Sequence, residues 1–412
     1  MAVADANSFC KITEYFDEKF FEEALSKGLG CRNLRIIRLK FSMGAEGGDY
    51  FSSWLYRVEA LYSVEDSTAK KISLICKMCN VGDKVGFEVN SFTKEKRMYV
   101  GILPKLHQIL RDVKFAPQCF HTVDEPAATF ILEDMKASHY SLADRSVGLD
   151  ENHCRVVLEK LAQFHAASIL LIDSNPVIKE TRELQGGLFS SLDLKVKRHE
   201  KFVRQNLNFL IEHTKTWQGY EEVTEKLIKL DEHKLLNRLT DALQISPDNV
   251  VVLNHGDMWT NNFLFKYCKL QQTPVDAVLI DFQNSAFGSP GIDVNYFLAS
   301  SPRLDVLENK KDYLIEEVYY REFKSTLEKN GCEYIPSLQI IRNEVRKNMV
   351  FGFVCCIGFF PILLMNKEES INNSLKSFAN PNALKSAIST ERYLDMMRFW
   401  LKENDQYGLF NN

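Results

Sequence analysis

Short apolar runs, separated by glycine and polar residues, dominate the first 135 residues and predict β-strands. A glycine-rich turn at 44–49 joins the first two runs, which predicts a hairpin with a flexible tip. Apolar residues at helical spacing predict one helix within residues 1–30 and another at 87–103. The predicted strands cover residues 34–43, 50–62, 72–78, 115–122 and 128–132.

From residue 139 onward the apolar residues recur with a helical period. The polar residues between them form charged faces that are typical of helices in contact with water. The rest of the chain is therefore predicted to be mostly helical, with no repeat and no low-complexity segment. The clearest helical patterns cover residues 156–171, 200–213 and 221–243.

One uncharged run, 349–365, has the composition of a membrane span but not the length. It is also interrupted by Gly352, Gly358 and Pro361, and proline cannot continue a helix without loss of a hydrogen bond. The run therefore predicts a buried helix that ends near Pro361.

Three short apolar runs between residues 250 and 297 have polar residues at their ends. Strand formation does not account for these polar residues. The second run, 263–267, and the third, 275–280, are separated by a Thr-Pro turn and predict an antiparallel hairpin. Pairing of these strands places Asn262 and Asp281 at the same end of the hairpin, near the loop that carries Asp257.

This grouping of oxygen-bearing side chains is typical of phosphoryl transfer. That reaction needs a carboxylate to accept the proton of a hydroxyl, and an amide and a carboxylate to bind Mg²⁺ against the phosphates. Protein kinases have H-R-D-x-x-x-x-N followed by D-F-G. This chain has His255-Gly256-Asp257 and Asn262, followed by Asp281-Phe282-Gln283.

Lys77 lies in the middle of the predicted strand 72–78, between apolar neighbours. Because an unpaired buried ammonium is costly, the lysine must meet a partner on its face of the strand. Kinases use a strand lysine to bind the α- and β-phosphates of the nucleotide. The following helix offers Glu88 and Glu95 as carboxylate partners.

Composition excludes several function classes. The 51 basic and 55 acidic residues give no electrostatic argument for binding nucleic acid. The ten cysteines show no framework spacing, and no secretory signal precedes them, which predicts reduced thiols and a cytoplasmic protein. No membrane association and no obligate protein partner are inferred.

The motifs resemble those of the ecdysteroid kinase-like proteins of insects, which belong to the aminoglycoside and choline kinase group. Gly256 stands where protein kinases have arginine, as in small-molecule kinases. The similarity to this narrower family lies in three longer motifs, HGDMWTNN, IDFQ and the loop 288–293. The resemblance implies an α+β, two-lobed protein-kinase-like fold with an antiparallel sheet and one helix at residues 1–134. The mostly helical lobe, with its catalytic hairpin, is expected at 135–412.

The same resemblance implies roles for further residues. It selects Glu95 as the partner of Lys77, and it places Glu133 and Met135 at the hinge that contacts the adenine ring. Gly48 and Ser53, within a segment that has Phe51 where the family usually has tyrosine, are expected to contact the phosphates. The imidazole of His165 is expected to be a buried support, and the carboxylate of Asp293 either caps a helix or ties its loop to the active site.

The implied activity is ATP- and Mg²⁺-dependent phosphorylation of a hydroxyl on an apolar small molecule. An ecdysteroid, or a plant or xenobiotic alcohol or phenol, would fit, with hormone inactivation or detoxification as the purpose. Two alternatives stay open: a kinase of choline-like or other small polar alcohols, and a ligand-binding pseudokinase without turnover. The expected acceptor-pocket residues are Leu188, Phe189, Phe202 and Trp217.

Overall fold

A five-stranded antiparallel sheet forms the first part of the structure, in the order β1-β2-β3-β5-β4. The structure is a computed structural model that describes residues 16–44, 53–65, 67–79, 86–125, 127–189, 192–246, 249–365 and 387–411. Its strands are β1 (Leu34–Met43), β2 (Ser53–Val64), β3 (Lys70–Cys79), β4 (Cys119–Val123) and β5 (Thr129–Glu133).

Helix α1 (Glu18–Leu29) covers one face of this sheet. Asp17 begins the helix by accepting a hydrogen bond from the amide of Phe20 at 2.8 Å, and Gly30 ends it in the left-handed conformation. The apolar side of α1 then packs with alternate residues of the strands, such as Val58 and Cys76, in one buried cluster. Because strand side chains alternate, Lys77 lies on the opposite face.

The predicted helix 87–103 is three consecutive elements rather than one. Helix α2 (Gly86–Arg97) is followed by a π-helical turn, Met98–Ile102, and then by α3 (Leu103–Ile109), with Pro104 in its first turn. Proline is tolerated there because the first amides of a helix need no partner within it. Further along, β6 (Tyr140–Ser141) pairs with β8 of the hairpin described below.

The second part of the structure is mostly helical and is organised around α4 (Glu151–Ser174), which is buried along much of its length. Between its helices lie β7 (Val252–Asn254), the hairpin β8 (Phe263–Tyr267) and β9 (Pro274–Leu279), and β10 (Ala286–Gly288). The other helices described here are α5 (Leu192–Thr214), α6 (Glu221–Leu230), α7 (Glu232–Leu243), α8 (Gly291–Ser300), α9 (Leu304–Tyr313), α10 (Arg321–Lys329), α11 (Leu338–Lys347), α12 (Met349–Gly358), α13 (Phe360–Leu364) and α14 (Glu391–Gln406).

The prediction of one helix over 221–243 is wrong, because the helix is interrupted at Asp231. This residue has a φ of 41°, outside the helical region, and its carboxylate accepts a hydrogen bond from the amide of Lys234 at 2.9 Å. Asp231 therefore ends α6 and caps α7, and aspartate is among the best residues for that position.

The uncharged run 349–365 is helical and largely buried, and its first helix ends near Pro361, as predicted; a second, short helix follows. Helix α12 stops at Gly358, and Pro361 lies in the first turn of the next helix, α13. A proline at the start of a helix costs no hydrogen bond, whereas one near the end of a continuous helix does. Among the residues that the structure describes, no helix is both long and apolar enough to cross a membrane.

The predicted fold class, α+β with an antiparallel sheet first and a mostly helical second part that contains a hairpin, is confirmed. The two parts meet where β5 ends at Glu133 and the chain enters a 3₁₀ turn, Met135–Ser138. The helical lead-in predicted for residues 1–30 is described only from residue 16 onward, where α1 supplies the helix.

Candidate active site

The hairpin β8–β9 brings two of the predicted site residues to one place. Its strands pair with Phe263 opposite Leu279, and the amide of Ile280 donates to the carbonyl of Asn262 at 3.1 Å. Asn262 therefore precedes the first strand at the same end where Asp281 follows the second. Asp281 has a φ of 67°, a conformation that non-glycine residues adopt rarely and that is often found at functional sites.

The loop between β7 and the hairpin carries Gly256 at a φ of 82°. A Cβ atom at this position would lie 2.2 Å from the carbonyl oxygen of Asn284, which is far inside van der Waals contact. Both the backbone angle and the close approach of Asn284 therefore require glycine here. An arginine, as in protein kinases, would not fit this loop.

Asp293 holds the same loop from helix α8. Its Oδ2 accepts a hydrogen bond from the amide of His255 at 2.6 Å, and its Oδ1 accepts one from the amide of Gly256 at 2.8 Å. Of the two roles expected for Asp293, the structure shows the tie to the active-site loop. At the start of α8 the amide of Gly291 donates to Oγ of Ser289 at 3.1 Å, so the side chain that caps this end is not that of Asp293.

His165, on helix α4, supports this carboxylate from behind. Its Nε2 lies 3.1 Å from Oδ2 of Asp293, and its Nδ1 lies 2.7 Å from the hydroxyl of Tyr319. All three side chains are fully buried. The imidazole is thus a buried, hydrogen-bonded support, as the sequence predicted.

Asp257 is the carboxylate at the centre of the site. Only 8% of the residue is exposed, and its Oδ1 accepts a hydrogen bond from the hydroxyl of Tyr296 at 2.9 Å. Burial, with a further contribution from the charge of Asp281, raises the pKa of Asp257 to about 7, against the opposing effect of hydrogen bonds from Tyr296, Asn262 and Asn284. A carboxylate with such a pKa is suited to exchange protons near neutral pH.

Asn262 is oriented by the loop. Its Nδ2 donates to the backbone carbonyl of Asp257 at 2.8 Å, which leaves the amide oxygen as the group that could bind a cation. Asp281 supplies a carboxylate at the same end of the hairpin, and among the described residues its Oδ2 has only a long contact, 3.4 Å, with Nε2 of Gln283. An amide oxygen and a carboxylate are ligands that fit Mg²⁺, which is usually bound by one or two protein groups together with phosphate oxygens.

Lys77 links the sheet to the hairpin. Its Nζ donates to both carboxylate oxygens of Glu95, at 2.8 and 2.7 Å, and to Oδ1 of Asp281 at 2.8 Å. Burial disfavours the ammonium, but the charges of Asp281 and Glu95 outweigh it and raise the pKa of Lys77 above its ordinary value. The lysine therefore stays a cation, placed between the two parts of the fold.

His255 braces the loop rather than presenting a proton to the site. Its Nε2 lies 2.9 Å from the carbonyl of Ile280, and its Nδ1 accepts from the amide of Asp257 at 3.3 Å. Burial is the main cause that lowers the pKa of His255, so the ring is neutral, with the proton on Nε2.

The residues predicted for the adenine and phosphate contacts are spread along the sheet. Ser53 starts β2 opposite Cys79, and Gly48 lies outside the described residues. The carboxylate of Glu133 accepts from Nζ of Lys114 at 2.7 and 2.5 Å, so this side chain is engaged in an ion pair. Met135 is buried in a small apolar cluster with Tyr140 and Val278.

A network next to these residues was not predicted. Arg57 donates from Nε to Oδ2 of Asp134 at 2.7 Å and from Nη2 to the carbonyl of Gly44 at 3.3 Å. It therefore joins the beginning of the glycine-rich turn to the segment that connects the sheet and the helices. No short-range sequence pattern signals a contact between residues that are 77 positions apart.

Of the residues expected at the acceptor pocket, Phe189 is connected to the site through aromatic contacts. Its ring packs edge to face on Phe351 at 5.6 Å, and the ring of Phe351 in turn lies 6.1 Å from that of Tyr296. Leu188 is partly buried against the same core. Trp217 packs instead on Tyr220 and under the guanidinium of Arg398, and the side chain of Phe202 lies outside the described residues.

Sequence reasoning also missed Tyr296, although a signal was present. Asp293 and Tyr296 are three residues apart on one helix, so both face the same side, and a tie to the active-site loop was one of the two roles expected for Asp293. A polar group on that side of an otherwise apolar helix points to the loop as its partner.

Comparison with known proteins identifies the family to which the chain belongs. Residues 47–332 match the model of the ecdysteroid kinase-like family (EcKL), whereas no curated protein matches the sequence. Among solved structures, an aminoglycoside phosphotransferase from Alicyclobacillus acidocaldarius is 13% identical with a TM-score of 0.44, covering 90% of this chain and 92% of that one. Choline kinase LicA from Streptococcus pneumoniae is 13% identical with a TM-score of 0.36, covering 94% and 99%. The amicoumacin kinase hAmiN, in complex with AMP-PNP, Ca²⁺ and Ami, is 14% identical with a TM-score of 0.40, covering 91% and 95%.

Proposed function

Because the chain belongs to the ecdysteroid kinase-like family, and so to the small-molecule phosphotransferases that act on a hydroxyl group, we propose that it transfers the γ-phosphoryl group of ATP, with Mg²⁺, to a hydroxyl of an apolar compound. One observation carries this proposal above all. Lys77 of the sheet and Asp281 of the hairpin lie 2.8 Å apart, at a point that also holds Glu95. Phosphoryl transfer needs this meeting of a cation and a metal-binding carboxylate.

On the nucleotide side, Lys77 is the residue that binds the α- and β-phosphates, and Glu95 holds its ammonium in place. The backbone of 133–135 contacts the adenine ring. Gly48 and Ser53 contact the phosphates from the glycine-rich turn. In this assignment residues 1–134 form the nucleotide-binding lobe and residues 135–412 form the lobe with the catalytic loop, the metal site and the acceptor pocket.

The metal is bound by the amide oxygen of Asn262 and the carboxylate of Asp281, the two ligands that the hairpin holds at one end. When bound, Mg²⁺ neutralises charge on the phosphate oxygens during transfer. Asn262 is already oriented for this role, because its Nδ2 is used by the carbonyl of Asp257.

Asp257 accepts the proton of the acceptor hydroxyl as the oxygen attacks phosphorus. Its burial and its pKa of about 7 suit a general base that works near neutral pH. No covalent intermediate is needed, because positioning and charge neutralisation account for catalysis of phosphoryl transfer.

The acceptor is an apolar molecule such as an ecdysteroid, or a plant or xenobiotic alcohol or phenol. The rings of Phe351 and Phe359 lie beside Tyr296, which contacts Asp257, so the base is bordered on this side by aromatic rings. A polycationic acceptor would call for carboxylates instead. We place the enzyme in the cytoplasm, where the free thiols of its described cysteines, among them Cys76 and Cys154, would stay reduced.

The test is ATP consumption with Mg²⁺ over a panel of ecdysteroids, phenolic glycosides, choline and aminoglycosides, with Asp257→Asn beside the unaltered protein. Turnover on an ecdysteroid or phenol, lost in the variant, supports the proposal in full. Turnover on choline or an aminoglycoside keeps the chemistry and overturns the acceptor class. Nucleotide binding without turnover on any acceptor favours a pseudokinase.

A further inference from the structure

Helix α8 contacts the catalytic loop with one face, residue by residue. Asp293 accepts the amides of His255 and Gly256, and Tyr296 donates to the side chain of Asp257. One turn further on, the hydroxyl of Ser300 lies 3.3 Å from the carbonyl of Met258. Positions separated by three and four residues lie on the same side of a helix. Successive residues on this side of α8 therefore contact successive residues of the loop.

The helix is held rigidly in that position. At Gly352 of α12, a Cβ atom would lie 3.0 Å from the Cβ of Asn295, so α8 and α12 cross at close range. Nδ2 of Asn295 donates to the carbonyl of Val345 at 2.8 Å, which ties α8 to the preceding helix, α11. The ring of Tyr296 is packed between Phe351 and Phe359, at 6.1 and 6.4 Å.

The hydroxyl of Tyr296 therefore has a fixed place, and its partner is a single carboxylate oxygen. An aspartate has two oxygens that can rotate about the bond between Cβ and Cγ, and a base is efficient only if one of them faces the proton it accepts. The Tyr296 hydroxyl on Oδ1 restricts that rotation, together with the side chains of Asn262 and Asn284, which also hydrogen-bond to this carboxyl group.

We propose that Tyr296 is a positioning residue for the transfer step: it holds Oδ1 of Asp257 and so directs Oδ2 to the acceptor hydroxyl. This inference rests on the proposed role of Asp257 as the base. In the step itself the hydroxyl proton moves to Oδ2 while the oxygen–phosphorus bond forms and the bond from phosphorus to the departing nucleoside diphosphate breaks. Tyr296 keeps its own proton throughout.

The experiment compares Tyr296→Phe with Tyr393→Phe in the full chain, with ATP, Mg²⁺ and whichever panel acceptor the unaltered enzyme phosphorylates. Tyr393 is a matched control because it is fully buried in α14 and its hydroxyl has no hydrogen-bond partner among the described residues. Each change deletes one buried hydroxyl and keeps the ring. We expect Tyr296→Phe to lower kcat about 10-fold, with KM for ATP within about twofold and an unchanged urea midpoint. Tyr393→Phe should leave both kinetic constants unchanged.

A second comparison separates positioning from a general structural effect. If Tyr296 acts through Asp257, then Tyr296→Phe should cause no further loss in a protein that already carries Asp257→Asn. An equal loss in both backgrounds would overturn the inference, as would a normal kcat in the single variant. An unaltered enzyme without turnover on any acceptor would instead overturn the proposed function, and with it the premise of this inference.

Discussion

His165 and Asp293 lie 3.1 Å apart, imidazole to carboxylate, with neither side chain exposed to solvent. One belongs to α4 and the other to α8, so the contact joins the central helix to the helix that holds the loop carrying Asp257. The carboxylate accepts two backbone amides as well, which makes it the centre of a buried network. Loss of such a group leaves several donors without a partner at once.

We therefore expect Asp293→Asn to lower the free energy of unfolding by about 3 kcal/mol and to reduce turnover, because the new amide group would face a backbone donor. Urea unfolding and the ATP-consumption assay measure the two effects. Asp305→Asn is the matched control: this carboxylate is 61% exposed and forms a surface ion pair with Arg303, so a change below about 0.5 kcal/mol is expected. Equal stability of the two variants would contradict the supporting role of Asp293.

Gly256 and Gly219 provide a second matched pair. Both have a φ of 82°, but a Cβ atom at Gly219 meets nothing within 4 Å, whereas at Gly256 it meets the carbonyl of Asn284 at 2.2 Å. Gly219→Ala should cost only the backbone strain, about 1 kcal/mol. Gly256→Ala should cost more and should also abolish most of the turnover, because the loop must move away from Asn284. Similar unfolding midpoints with normal turnover in both variants would show that the loop tolerates the clash.

Lys77 is expected to contribute to nucleotide affinity more than to stability of the sheet. Lys77→Ala should weaken binding of ATP with Mg²⁺ by about 10- to 100-fold, the range for a lost charged hydrogen bond. Calorimetric titration with a non-hydrolysable ATP analogue measures this loss. Lys71→Ala, on the same strand with an exposed pair to Glu59, is the control and should bind nucleotide normally. Normal affinity in Lys77→Ala would remove the lysine from the phosphate site.

The ionised carboxylate of Asp257 should destabilise the folded protein at high pH, because its pKa is raised by folding. That pKa is raised from 3.8 to about 7 in the folded protein, so the folded state binds the extra proton between these values and stability decreases as the pH rises through them. Asp257→Asn removes the ionised carboxylate. The variant should be more stable than the unaltered protein at pH 8, on the order of 2 kcal/mol, and no more stable near pH 4, while turnover falls about 1000-fold.

Urea unfolding of both proteins at several pH values measures the difference in their free energies of unfolding. The contributions of the titratable groups that the two proteins share cancel in this difference. A gap that widens toward low pH would contradict the raised pKa. Unchanged turnover in the variant would remove Asp257 from the proton transfer.

The hairpin and its polar ends could be predicted from sequence because the information is local. Runs of strand-forming residues, a Thr-Pro turn and the spacing of Asn262 and Asp281 fix which side chains share one end. The break at Asp231 was missed, because the pattern on either side of it is helical and only its capping role, read with the residue three positions later, separates α6 from α7.

Contacts between distant elements were harder to predict. The one signal for the hydrogen bond from Tyr296 to Asp257, 39 positions earlier, is the helical spacing of Tyr296 from Asp293, and it does not name Asp257 as the acceptor. The clash that requires glycine at 256 depends on where Asn284 lies, and the helix crossing at Gly352 depends on α8. Such features are decided by packing, which a one-dimensional pattern does not contain.

The ion pair between Lys77 and Asp281 spans 204 positions along the chain. During synthesis the sheet that carries Lys77 leaves the ribosome long before the hairpin exists, and contacts of such separation form late in folding. Until then the ammonium has Glu95 as a partner but lacks the aspartate from the hairpin. Nascent chains stopped before residue 281 would therefore lack the proposed metal site, and the appearance of tight, metal-dependent nucleotide binding would mark the stage of translation at which the enzyme becomes complete.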